Sequence, residues 1–358
     1  MPSPNRVIIC AAGGGKTTGI VREAFGEKQT RSALVTYTRN NEHEIQSKFF
    51  ALSPAIPPHV EVMTWYVFLL QELARPYRNF MHDHRIDGLS WVEGRSVKGV
   101  PATKISAHYF AGKRKIYSDK ISKFICECNK ISGGAIMKRL SNRFDHIFID
   151  EVQDLAGYDL EVVELMLKAG IRVTLVGDHR QSILTTNNNN KNEAFKGINI
   201  VKKFRLWEKA KLLTISYETK SHRCHQHIAS LADSLFPNEQ LTTSLNTAVT
   251  GHDGIFLVPP SRLDEYLTSF SPQILRYDRR TQCSDFSQPM NFGEAKGLTF
   301  DRVLIYPHGP CDKWLRSGDP DKIKGSNTKL YVGITRARYS VAFVFDGHTK
   351  IPHAQLFT

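Results

Sequence analysis

The stretch RVIICAAGGGKTTGI, residues 6–20, constrains this chain more than any other. A short apolar run ends in Gly13, Gly14 and Gly15, followed by Lys16, Thr17 and Thr18, where helical sequence begins. Glycines in that place let backbone N–H groups turn inward around an anion, and the following helix adds the positive end of its dipole. Lys16 can neutralise outer phosphates, and Thr17 can offer a hydroxyl to Mg²⁺, a small hard cation that prefers oxygen. A strict phosphate-binding loop has glycine where this chain has Cys10. A purely structural glycine turn explains the bend but not a Lys-Thr pair after a buried strand. The stretch therefore predicts an α/β fold with a nucleotide held at the carboxyl end of its first strand.

The rest of the chain repeats the pattern. Apolar runs RVIIC, SALVTY, HVEVM, HIFID and RVTLVGD, then LLTIS, GIFLV, QILRY, RVLIY and VAFVF, alternate with helix-length segments. That alternation is the signature of buried parallel strands joined by crossover helices. An asparagine-rich stretch, TTNNNNKNEAFKG at 185–197, separates the first five runs from the last five, so two lobes are expected to meet near residue 205. The expected division is 1–75 with 142–205 as the first lobe and 206–358 as the second. Residues 76–141 lose the strand signal for basic, aromatic-dotted sequence such as HYFAGKRKIYSDKISKF. They are expected to form a mostly helical insertion whose Lys and Arg make either a solvated face or a track for phosphates.

Charge narrows the partners. Lys and Arg number 48 against 35 Asp and Glu, a formal +13, which favours polyanions such as nucleic acid. The longest apolar run, VMTWYVFLL, falls well short of the roughly 18 residues a membrane span needs. MPSPNRVIIC lacks the features of a secretory signal. The scattered cysteines, with Cys126 and Cys128 too close for a common zinc knuckle, suit a reducing, cytoplasmic setting.

Two further pieces carry chemistry. HIFIDEVQDL at 146–155 delivers Asp150 and Glu151 to the carboxyl end of a strand, where parallel sheets place ligands. Asp150 can hold a metal and Glu151 can polarise an attacking water, although adjacent acids after a strand also serve as helix N-terminal charges. RVTLVGDHRQSIL at 172–184 ends its strand with Gly177 and Asp178 and then presents Gln181, whose amide can touch a γ-phosphate.

With DEVQD and GDHRQS in this order, the chain resembles the UvrD/Rep type of superfamily 1 helicase. SHRCHQHIASLAD at 221–233 resembles the family's fourth motif and puts Arg223 on its γ-phosphate arginine. NFGEAKGLTFDRVLI at 291–305 resembles the fifth, around Lys296 and Gly297, and KLYVGITRARYSVAFV at 329–344 the sixth, with Arg336 as arginine finger. LVTYTRNNEHEI at 34–45 resembles motif Ia, implying that Tyr37 stacks on a base with Thr38 and Arg39 near phosphate. MTWYVFLL resembles motif Ib and offers Thr64, Trp65 and Tyr66, though so apolar a run suits Trp65 equally to a core. The resemblance implies two RecA-like parallel-sheet domains that close on ATP and Mg²⁺. It also implies single-stranded DNA as partner, and ATP-driven translocation or unwinding from 3′ to 5′. The alternative is a nucleotide-dependent sensor or ATPase subunit beside a protein such as a nuclease, in the manner of compact antiviral-defence proteins. A small-molecule kinase would leave Gln181, Arg223 and Arg336 idle.

The chain also departs from that family. No glutamine motif fits before Cys10, Thr299 stands where the fifth motif usually has glutamate, and no aromatic follows GDHRQS. Between the fourth and fifth motifs, Asp233 to Met290 leaves no room for the family's inserted domain.

Overall fold

All ten apolar runs become strands in the computed structural model, which describes residues 4–187, 189–283 and 288–358. The chain divides into two compact units. One takes Lys16–Tyr217 with the segment up to Ile9, and the other Glu218–Thr358 with Cys10–Gly15.

The first unit is built on strands β1 (Arg6–Cys10), β2 (Ser32–Thr36), β3 (Val60–Thr64), β4 (His146–Ile149), β5 (Arg172–Gly177) and β6 (Thr214–Glu218). They lie in the order β3-β2-β4-β5-β1-β6, and the pairings from β3 through β1 are parallel. Successive side chains of a strand point to opposite faces. Val7, Ile9, Ala33, Val35, Ile147, Ile149, Val173 and Leu175 enter one core. Leu34, Phe148 and Val176 enter another with Ile20, Val21 and Ala24 of helix α1 (Lys16–Gly26) and Ile45 and Phe49 of helix α2 (Arg39–Phe50). Covering both faces is what makes these strands read as unbroken apolar runs.

Residues 76–141, expected to be mostly helical, combine helices with turns and short strands, and they are not peripheral. Helix α3 (Ile121–Ile131) buries Ile121, Phe124, Ile125 and Cys128, and helix α4 (Ala135–Arg143) buries Ile136, Met137 and Leu140, all in the same core as the β1 and β4 side chains. The segment also holds a small sheet of Gly88–Ser90, Lys115–Tyr117 and Phe110–Ala111 that the sequence does not announce. Strands of two or three residues are too short to show an alternation.

The expected division near residue 205 is corrected. Helix α5 (Asp159–Leu167) and helix α6 (Ile200–Lys209) both pack into the first core, the latter through Ile200, Phe204 and Trp207. The LLTIS run then continues as β6 beside β1, where the Thr214 N–H donates to the Asn5 carbonyl (3.1 Å). The asparagine-rich stretch, of which Asn188 lies outside the described residues, is thus a loop within one unit. Side-chain oxygens of Asn187 and Asn189 accept the backbone N–H groups of Asn189 and Lys191, a local turn chemistry that needs no domain boundary.

The second unit has strands β7 (Gly254–Val258), β8 (Gln273–Arg276), β9 (Met290–Asn291), β10 (Phe300–Tyr306), β11 (Ala337–Val344) and β12 (Ala354–Leu356). Their order is β9-β8-β10-β11-β7-β12, with every neighbouring pair parallel. Phe256, Val258, Ile274, Leu304 and Ala342 meet Tyr266 and Leu267 of helix α7 (Leu263–Phe270) in its core. The molecule is an α/β protein with two RecA-like parallel sheets. No described helix is long and apolar enough to cross a membrane.

Candidate nucleotide site and nucleic-acid face

Helix α1 begins at Lys16, and β4 ends one residue before Asp150, so two strand ends in one sheet present their side chains side by side. The Lys16 ammonium lies 2.7 Å from the Glu151 carboxylate. The Thr17 hydroxyl donates to Asp150, 133 residues away, at 2.8 Å. Thr17 and Asp150 are both buried, and their oxygens are the donor type a divalent cation such as Mg²⁺ takes. Thr18 follows, half-buried, in the first turn of α1.

Glu151 adopts φ +56°, the left-handed region, which costs a non-glycine residue roughly 1–2 kcal/mol. Its neighbours hold it there. The Glu151 N–H donates to the Asp150 carboxylate (2.8 Å), and the Gln153 amide donates to the Glu151 carboxylate. Gln153 Oε1 accepts from the Asp178 N–H (3.2 Å), and the Asp178 carboxylate accepts from the Gln181 amide (2.9 Å) and from Arg180 (3.1 Å). DEVQD and GDHRQS are thereby one network. Gln153 was not among the residues singled out from the sequence, although its place two residues after Glu151 was the available signal. Gly177 makes room for it, since a Cβ there would come within 2.2 Å of Gln153 Oε1.

Burial alone would lower the pKa of Lys16, but Glu151, Asp150 and Asp178 outweigh it, and the net shift is upward, keeping the ammonium charged. Burial, reinforced by the charge of Glu151, raises the pKa of Asp150 against the pull of Lys16 and Thr17. A carboxylate in that condition gains from a nearby cation. Asp178 goes the other way. Burial pushes it up, but Arg180, His179, Gln181 and Lys16 hold it below its usual range.

The glycine turn belongs with the second unit. The Gly13 carbonyl accepts from the His222 N–H (3.0 Å), the Ser221 hydroxyl donates to the Ala12 carbonyl (2.6 Å), and the Gly14 N–H donates to the Ala11 carbonyl (3.0 Å). Gly13 and Gly15 have φ of +73° and +75°. A Cβ on Gly13 would lie 2.5 Å from the Arg223 Cβ and 2.9 Å from Ser221 Oγ. Gly13→Ala combines left-handed strain with overpacking, so it is expected to destabilise the protein by about 2–3 kcal/mol. A urea midpoint unchanged by that substitution would mean the turn is not held in this form.

The fourth, fifth and sixth motif stretches meet within the second unit. The Arg223 guanidinium donates to the Thr335 carbonyl (3.2 Å). Arg336, fully buried, donates to the carbonyls of Val332 (3.1 Å) and Leu298 (3.2 Å), the latter directly after Lys296 and Gly297. Gly297 takes φ +88°, and the Lys296 N–H closes a turn on the Gly293 carbonyl (3.3 Å).

The residues expected to face nucleic acid divide. Tyr37 is half-buried with its ring 6.1 Å from that of Tyr66, and Arg39 is exposed. The Thr38 hydroxyl caps α2 by accepting from the Asn41 N–H (3.2 Å), and Thr64 is the half-buried last residue of β3. Tyr66 is buried, and its hydroxyl donates to the Thr186 carbonyl (2.7 Å). Trp65 is corrected. Its ring is fully buried in the first core against Phe68, so it offers no stacking surface, as the apolar run around it demands.

Residues 98–190 match the UvrD/REP helicase N-terminal domain. The match runs through 98–141, which the motif resemblance had left aside, and the buried share of that segment in the first core explains why it travels with DEVQD and GDHRQS. Among solved structures, that of Arterivirus nonstructural protein 10, a helicase, superposes with a TM-score of 0.50 at 12% identity, over 96% of this chain and 60% of that one. Its complex with DNA gives a TM-score of 0.48 at 13% identity, over 98% and 62%. This chain therefore spans about three fifths of the length of those proteins. No curated protein matches it. The comparisons thus give a match to the UvrD/REP helicase N-terminal domain over residues 98–190 and a two-sheet α/β fold similar to that of a helicase.

Proposed function

We propose that this chain is an ATP-driven motor that moves along single-stranded DNA, from 3′ to 5′, and separates strands. The observation that carries the proposal is the single network joining Lys16, Thr17, Asp150, Glu151, Gln153, Asp178 and Gln181. Glycine-turn N–H groups and Lys16, kept charged by its carboxylates, suit the phosphates of ATP. Thr17 and Asp150 would hold Mg²⁺, which when bound neutralises phosphate oxygens. Lys16 exchanges Glu151 for phosphate, and the freed carboxylate, aimed by Gln153, can take a proton from water. The Gln181 amide, seated on Asp178, can sense a γ-phosphate. The roles of Arg223 and Arg336 as phosphate-reaching arginines, and of Lys296 and Gly297 beside them, rest on the motifs that carry them. Tyr37, Thr38, Arg39, Thr64 and Tyr66 are the proposed contacts to the strand.

A second reading is a nucleotide-dependent ATPase subunit acting with a partner such as a nuclease, in antiviral defence. It is favoured by the stretch Asp233–Met290, whose described residues supply only parts of the second unit itself, such as β7, α7 and β8, so a domain that engages duplex would have to come from elsewhere.

ATP turnover with and without short single-stranded oligonucleotides tests the proposal. Stimulation by the strand is expected, with a log–log salt dependence of strand binding of roughly −0.7 per phosphate neutralised. Turnover indifferent to every DNA and RNA strand would count against a motor. Stimulated turnover without strand displacement, restored by a partner, would favour the second reading.

A further inference from the structure

The four tryptophans of the chain divide cleanly. Trp65, Trp207 and Trp314 are 1%, 2% and 0% exposed, whereas Trp91 is 67% exposed. An indole left in water costs free energy, so its surroundings are informative.

The backbone that presents Trp91 is fixed. Trp91 follows the short strand Gly88–Ser90, which pairs with Lys115–Tyr117. The Ser118 N–H donates to the Ser90 carbonyl (3.0 Å) and the Val92 N–H donates to the Ser118 hydroxyl (3.2 Å), so both neighbours of Trp91 are tied to one residue. The indole stands edge-on to Tyr66, with centroids 4.8 Å apart and planes at 80°, and Tyr66 in turn neighbours Tyr37. The perpendicular contact steadies the ring, and most of the indole surface stays open to solvent.

The location is equally specific. The Tyr66 hydroxyl reaches the Thr186 carbonyl and the Arg95 guanidinium reaches the Asn190 side chain, so the strap carrying Trp91 lies against the stretch after GDHRQS. From Leu184 to Lys191 that stretch has no aromatic side chain of its own. In the segment that carries the indole the exposed charge is one-sided. Arg95, Lys98, Lys104, Lys113, Arg114 and Lys115 are exposed in residues 91–123 against the exposed Glu93, and Arg114 pairs with Asp87. A lone flat ring on a basic segment fits bases and phosphates. A protein partner would call for a broader apolar surround.

We propose that Trp91 is a stacking platform for a base of single-stranded nucleic acid, supplied from the segment between β3 and β4 to the region after GDHRQS. This rests on the nucleic-acid reading above and adds a contact that the motif stretches do not contain.

The buried state of the other three tryptophans makes the test direct, because Trp91 supplies the solvent-accessible emission. Titration with oligo-dT, and in parallel with oligo-U, is expected to quench that emission with the midpoint given by anisotropy of a labelled strand, the two arms separating DNA from RNA. Trp91→Phe should abolish the quench, Trp91→Ala should weaken strand binding by about fivefold to a hundredfold, and Trp91→Tyr should retain most of it. A melting temperature of Trp91→Ala equal to wild type confirms folding. If the wild type binds strands and Trp91→Ala binds them as tightly, this inference is overturned while the broader reading stands. If Trp91→Ala alters only the sedimentation of the chain, the ring belongs to a contact between copies, and the inference is again overturned. If the wild type binds neither strand, the nucleic-acid reading fails and takes this one with it.

Discussion

Glu151→Gln is expected to lower ATP turnover by about 10²–10⁴-fold, the usual worth of a general base, while nucleotide affinity stays within a few-fold. Lys16→Ala is expected to lower turnover by at least about 10²–10³-fold and to weaken binding as well, because it deletes the charge that meets the phosphates. The geometry separates the two effects. Glu151 accepts from Lys16 and Gln153, whereas Thr17 donates to Asp150, so glutamine keeps the shape but gives up the proton acceptor together with the charge facing Lys16 and one acceptor oxygen. Lys16 stands among Glu151, Asp150 and Asp178, so alanine leaves buried acids without their cation and damages the site more broadly. Phosphate release at saturating ATP, beside equilibrium binding of a fluorescent nucleotide, checks both. Equal turnover in wild type and Glu151→Gln would remove Glu151 from the chemistry, and unimpaired binding by Lys16→Ala would remove the phosphates from Lys16.

Much of this was legible because the relevant signals are local. A strand buried on both faces must be apolar throughout, so all ten runs announced themselves, and the acids and glycines at strand ends stand where such a sheet puts ligands. What escaped depends on contacts between distant segments. Trp65 and Trp91 are the same residue type. Only packing reveals that the first closes a core and the second stands in water, because the apolar run around Trp65 pointed to burial without excluding exposure. Gln153 bridges Glu151 to Asp178 only because Gly177 leaves the space, a relation between two strand ends that no single motif states. The asparagine-rich stretch was a sound prediction of a loop and a poor one of a boundary, since polarity marks solvent and not where a sheet ends.

His146 provides a pH-dependent contribution to folding that lies apart from catalysis. The side chain is fully buried on β4. Its Nδ1 is 3.3 Å from a Glu27 oxygen and its Nε2 is 2.9 Å from the Thr174 hydroxyl. A carboxylate only accepts, so Nδ1 carries the proton and donates to Glu27, which leaves Nε2 to accept from Thr174. Glu23 and Glu27 stand close enough with His146 to suggest a metal set, but Arg6 holds the first carboxylate and Arg172 the second, so the cluster is already neutralised. The Glu27 contact is a hydrogen bond to a neutral ring, because burial, with Arg172 and Arg6 adding repulsion, pulls the imidazole down to about 3. The unfolded chain has the ordinary value near 6.5, so it binds the proton that the folded state refuses. Stability from this group is complete above pH 6.5 and is lost progressively as pH falls towards 3, on the order of 3–5 kcal/mol in all. Between pH 7.5 and pH 5 the wild type should lose about 2 kcal/mol through His146 alone. His146→Asn, less stable at neutral pH because it leaves a gap, should show a correspondingly shallower decline in urea-derived stability over that interval. Parallel pH slopes for the two proteins would mean that the folded state accommodates the imidazolium, with Glu27 as its partner.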